Sequence, residues 1–165
     1  MQEKKGSNED WRDEHRCPEG GGLGIDALLG SHLKSGRDLE VKGHLREAIA
    51  EYSKEHARPI QSKIDAEIAQ SSYWHVGIVH RLLGEPEEAI RAFQAARRLL
   101  KEHGVGVHPH NDLAEALIHL GRFEDAIEAC QEELELQDNW GTRELLSRAI
   151  AMRRDALDAD SVEGT

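Results

Sequence analysis

The chain has 165 residues, 38% hydrophobic and 32% charged, with 4% Phe, Trp and Tyr and a formal net charge of −11. That length suits one compact domain or a short repeat array, and so few aromatics argue against an aromatic-rich sheet protein. The acidic balance lacks the basic footprint of nucleic-acid binding, and no run approaches the roughly 18 apolar residues of a membrane span.

Residues 1–24 read as a disordered lead, rich in charge and closing on Glu19-Gly20-Gly21-Gly22. Such a stretch buries too little apolar area to offset its chain entropy. Its opening, Met1 to Asp10, has no apolar stretch for a signal peptide. The two cysteines, Cys17 and Cys130, form no CxxC pair. A reducing compartment is therefore expected, and the cytoplasm is the predicted location.

From about Asp26 the pattern becomes helical. A first helix is carried by His32, Gly36 and Leu39, with Leu28 and Leu29 before it. The loop glycine Gly43 follows, then a second helix with Ala48, Ile49 and Tyr52. The next hairpin repeats the arrangement: Tyr73, Val76, Gly77, His80 and Leu83, the glycine Gly84, then Ala89, Ile90 and Phe93. The third uses Leu113, Ala114, Leu117, Ile118 and Leu120, the glycine Gly121, then Ala126, Ile127 and Cys130. The loop glycines recur after 41 and then 37 residues. Each glycine ends a helix where a left-handed backbone is cheap only without a Cβ. Acidic residues then gather in the next first turn, where they favour the helix dipole, and Pro86 suits a first helical position. Beyond the third hairpin, Leu145, Leu146, Ala149, Ile150 and Met152 fit one more amphipathic helix, with Trp140 predicted to pack at its start. The last residues read as a frayed acidic tail.

This register resembles the tetratricopeptide repeat (TPR), a helix-turn-helix unit of 34 residues. The family's small eighth residue matches Gly36, Gly77 and Ala114, and its alanine at the twentieth matches Ala48, Ala89 and Ala126. The larger residue at the twenty-fourth matches Tyr52, Phe93 and Cys130. The small twenty-seventh residue is met by Ala96, whereas Glu55 and Glu133 depart from it, and the closing proline is absent. The resemblance implies an all-α fold, a right-handed superhelical array of three TPR-like hairpins plus a C-terminal capping helix. The repeats fall at about 29–62, 70–103 and 107–140 and the cap at about 141–157, within a domain of 25–157 followed by a flexible tail, 158–165. Seven residues beyond the period lie at the first junction, around Arg58-Pro59 and Ile64 to Ala69, and three at the second, around Gly104-Val105-Gly106.

In such an array the first helices line a concave groove. The resemblance places Leu33, Arg37, Ser71, Trp74, His75, Ile78, Arg81, His108, Asn111 and Glu115 along it and implies a protein or peptide partner. One TPR subclass grips the C-terminal carboxylate of heat-shock chaperones with lysines and asparagines. Here those positions hold Leu33, Arg37, His75, His108 and Asp112, so that clamp is not expected.

Ten histidines invite a metal reading, densest at His103 and His108-Pro109-His110, with His75 and His80 on a nearby helix. Their spacing matches no zinc motif and no cysteine lies near, so solvent-exposed loop histidines are expected. The carboxylate pairs Glu87-Glu88 and Glu124-Asp125 serve helix starts, and Glu132-Glu133 reads as a wetted outer face. Cys130 sits on a core stripe, and Gly20 to Gly24 lacks the Lys-Ser/Thr ending of a phosphate loop. No catalytic residue, metal or cofactor is assigned. The predicted function is a protein-interaction module. A self-associating structural module is the alternative, and a histidine-based metal-dependent hydrolase ranks last.

Overall fold

The computed structural model describes residues 31–163. The lead at 1–24, Cys17, the glycine run, Leu28 and Leu29 lie outside the described residues. Seven helices and no strand make up what is described: α1 (Ser31–Val41), α2 (Leu45–His56), α3 (Lys63–Leu82), α4 (Pro86–His103), α5 (His110–His119), α6 (Phe123–Leu136) and α7 (Trp140–Glu163). The chain is all-α over this span.

Helices α1 and α2, α3 and α4, and α5 and α6 pack as sequential pairs joined by the same turn. Gly43, Gly84 and Gly121 hold φ of 80°, 73° and 70°, the left-handed region that only glycine enters at little cost. The next residue then donates its N–H to the carbonyl five back, at 2.9 Å in each case: His44 to Leu39, Glu85 to His80 and Arg122 to Leu117. This is the Schellman closure, which satisfies a carbonyl left open at the helix end.

Within each pair one small-against-large contact sets how closely the helices approach. Gly36 faces the Tyr52 ring and Gly77 the Phe93 ring; a Cβ added at either would overlap the ring, 2.9 Å and 2.8 Å from its Cζ. In the third pair the same register positions hold Ala114 and Cys130, both fully buried. A larger residue on one helix is thus matched by a smaller one opposite, and total volume is kept.

The junctions absorb the extra length differently. At the first, Ile64 to Ala69 are helix within α3, while Arg58-Pro59 stay in the loop before it. Ser62 Oγ accepts from Asp65 N at 3.2 Å and donates to Asp65 Oδ2 at 2.8 Å, a reciprocal cap that starts α3 at Lys63. At the second, Gly104 ends α4 in the left-handed region and a short loop leads to α5. Two apolar clusters run through the pairs. One holds Leu33, Ala48, Tyr52, Val76 and Val79; the other joins Phe93, Leu113, Leu117, Cys130 and Ala149.

Two expectations are corrected here. Helix α7 continues to Glu163, past the predicted end of the cap at 157. Trp140 is 76% exposed and does not pack at the start of α7. Asn139 caps that helix by accepting from Thr142 N at 2.8 Å, and Thr142 is the residue turned inward. Two positions earlier on a helix is about 200° away, which puts Trp140 outside.

The glycine–ring contact makes a direct prediction. Gly77→Ala should destabilise the protein by about 1–3 kcal/mol, because overlap with Phe93 exceeds the gain of about 1 kcal/mol in helix propensity. Combining it with Phe93→Cys, the third pair's solution, should cost less than the two single changes added together. Chemical denaturation of the four proteins measures this coupling.

Candidate functional site

The residues expected along the concave face sit on the first helix of each pair, except His108, which lies just before α5, and several of them bond a neighbouring first helix. Glu40 on α1 accepts from Tyr52 Oη at 2.6 Å and lies 3.2 Å from His75 Nδ1 on α3. Trp74 Nε1 on α3 donates to Asp112 Oδ2 on α5 at 2.8 Å. Arg81 Nη1 donates to Glu115 Oε2 at 2.8 Å and lies 3.2 Å from Asp112 Oδ1. The Thr142 hydroxyl on α7 reaches Asn111 Oδ1 on α5 at 3.0 Å. A polar ladder therefore crosses this face from α1 to α7. Burial alone would raise the pKa of Glu40, but hydrogen bonds from His75 and Tyr52 outweigh it and hold the carboxyl below its usual range. Burial, aided by Glu40, pushes the Tyr52 hydroxyl up.

Not every expected residue reaches the face. Leu33 is 2% exposed and belongs to the core, so its placement in the groove is corrected. Trp74 and Ile78 are half-buried and pack on the second apolar cluster. Ser71 is half-buried on α3, and Arg37 is exposed on α1. His108, Asn111 and Glu115 come together with Asp112, Glu144, Leu145, Ser147 and Arg148 around an open groove of about 790 Å³ between α5 and α7.

The histidine loop differs from expectation. His110, the first residue of α5, is 1% exposed, and Glu133 on α6 is 2% exposed. Neither is a solvated surface group, which corrects both readings. Glu133 Oε2 lies 2.9 Å from His110 Nδ1 and 3.1 Å from His108 Nδ1, and Gln137 Nε2 donates to Glu133 Oε1 at 2.8 Å. Burial holds the pKa of His110 below the usual imidazole value, against the raising effect of Glu133 and Glu132. Glu132 turns the other way: burial would raise it, and bonds from Arg97 and Lys101 on α4 outweigh that. His75 and His80 stay apart from this cluster, engaged by Glu40 and Glu85. The loop is held from α3: Gln70 Nε2 donates to Val107 O at 2.6 Å, and Val107 N donates to Gln70 Oε1 at 3.0 Å. Gln70 is fully buried, so both halves of its amide are satisfied by one residue of the loop.

Glu133 was not anticipated. The one signal for it is a charged residue at the register position that Ala96 fills in the second pair. Glu55, at the same position in the first pair, is also buried, and Arg58 Nη1 donates to its Oε2 at 2.9 Å. Cys130 is fully buried, which pushes its thiol up to about 11 and makes it unreactive. No family model matches the chain, and no curated protein matches it. Among the described residues no helix is long and apolar enough to cross a membrane.

His56 carries a pH prediction. Its ring stacks on Tyr73, with centroids 3.6 Å apart, and its Nε2 lies 3.2 Å from Ser72 Oγ. Ser72 spends its one hydroxyl proton on Tyr52 O at 2.7 Å, so His56 Nε2 is the donor to Ser72. Burial lowers the pKa of His56 to about 4, against a raising effect of Glu55. In the unfolded chain it titrates near 6.5. Its contribution is therefore full above pH of about 6.5 and is lost as pH falls toward 4, a change of about 1–3 kcal/mol. Urea denaturation across that range should show a smaller drop for His56→Gln than for the unchanged protein.

Proposed function

We propose that this chain is a TPR-like interaction module that holds a peptide or helix of a partner protein, and that it is not an enzyme. On this reading the three pairs form the right-handed superhelical array of that family, with α7 as the cap, and the protein works in the cytoplasm. The observation that carries the proposal is the open groove of about 790 Å³ between α5 and α7. Elsewhere on the same face, Glu40, Trp74, His75 and Arg81 are engaged in helix-to-helix bonds. The groove is lined by Glu144, Arg148 and Leu145, and by Asp112 and Glu115, whose carboxylates also meet Trp74 and Arg81. A short segment with a basic side chain beside an apolar one fits that chemistry, and the chain's net charge of −11 would speed its approach.

Selection of ligands from a peptide library on the full chain tests the reading. Enriched peptides should be basic, and Glu144→Arg with Ser147→Arg should weaken them at least about tenfold, since an added like charge at a desolvated contact costs more than about 1.4 kcal/mol. Peptides bound equally by the variant, or none enriched, would count against it.

Exposed apolar side chains favour a second reading, self-association. Leu136 is 58% exposed at the end of α6, and Trp140 is 76% exposed at the start of α7. Bulky aromatics are the residues that dominate interfaces. Light scattering at high protein concentration should then report a dimer that Trp140→Glu returns to monomer. A strict monomer removes this reading.

A further inference from the structure

We propose that His108, His110 and Glu133 form a binding site for a divalent transition-metal cation of the zinc type, with Glu132 orienting His110 from behind. One donor atom from each of the three residues lies within 4.8 Å of the other two. The close approaches are shorter: His110 Nδ1 is 2.9 Å and His108 Nδ1 3.1 Å from Glu133 Oε2. Tetrahedral zinc with bonds of about 2.0–2.1 Å spaces neighbouring donors about 3.3 Å apart. Two of the three donor spacings already stand near what a cation would impose, and the third, between the two imidazoles, lies within 4.8 Å. Two imidazole nitrogens and one carboxylate oxygen select zinc and its first-row neighbours over calcium or magnesium.

Proton accounting points the same way. A neutral imidazole has one N–H. If both Nδ1 atoms carry it toward Glu133, His110 Nε2 is a bare lone pair. That nitrogen faces Glu132 Oε2 at 3.5 Å, and this buried oxygen accepts no hydrogen bond. Two lone pairs facing one another in a buried site are unfavourable. A cation on His110 Nδ1 moves the proton to Nε2, which then donates to Glu132. The orphaned oxygen becomes the carboxylate that metal-bound histidines commonly bond through their other nitrogen. Arg97 and Lys101 meet Glu132 through its other oxygen, Oε1, at 2.6 and 2.8 Å, and so leave Oε2 for His110. His108 is 35% exposed and lines the α5–α7 groove, so an ion enters from there. Three protein ligands leave a fourth position for water.

A charged His110 lying between Glu132 and Glu133 is the competing arrangement, and it takes no metal. The test is calorimetric titration of the full, untagged, chelator-treated chain with zinc chloride near neutral pH, alongside the visible spectrum with cobalt(II). One ion per chain at micromolar affinity or tighter is expected, with a tetrahedral cobalt spectrum. His108→Ala, an exposed change that leaves the helices in place by circular dichroism, should weaken binding at least about tenfold. Glu133→Gln should abolish it, and Glu132→Gln should weaken it about 10–100-fold. Absence of saturable binding overturns the proposal. So does binding that survives both His108→Ala and Glu133→Gln, which would place zinc on other histidines. Unchanged affinity in Glu132→Gln would remove its orienting role.

Discussion

Everything in this fold depends on how near the two helices of each pair can come. Gly36 lies under the Tyr52 ring and Gly77 under the Phe93 ring, with no room for even one more carbon. The ring then fills the space that a missing side chain leaves, and the close approach brings the flanking Ala48 and Ala89 to full burial. Buried aromatic rings of this size carry a large share of the burial energy in a small helical pair. The third pair reaches the same end with Ala114 and Cys130, moderate on both sides. One geometric requirement is met by two chemistries, and the turns that follow are free to be identical.

The pairs do not hold one another by apolar contact alone. Each junction between first helices also carries a polar bond: Glu40 with His75, Trp74 with Asp112, Arg81 with Glu115, and Asn111 with Thr142. Partly buried bonds to charged groups contribute about 1.5–3 kcal/mol and, unlike apolar contact, they fix an angle. The face formed by the first helices is largely committed to its own alignment. The last step, where α5 meets α7, opens into a groove.

Much of this could be read from the sequence, because it rests on local chemistry. The loop glycines, the first-turn acids, Pro86 and the small-against-large register all follow from rules that act within one hairpin. What escaped are properties of distance. Leu33 satisfies the spacing of a groove residue, yet the neighbouring helices cover it. Trp140 looks like a core anchor until Asn139 caps the helix and turns Thr142 inward. His110 and Glu133 read as surface groups because each is polar alone; only the fold reveals that each is the other's reason for being buried. A charge where a register asks for alanine, as at Glu55 and Glu133, was the available hint. Its partner could not be named without the third dimension.

The length of α3 has an effect beyond its own hairpin. The helix starts at Lys63, so Gln70 lies inside it with its backbone already bonded and its side chain buried. That amide grips Val107, the residue just before His108. The start of α3 thus sets the position of the loop before α5. The long helix and the loop act as a single mechanical part, a strut and the hook it carries. Shortening the strut would release the hook, and with it the loop that delivers two histidines to their carboxylate.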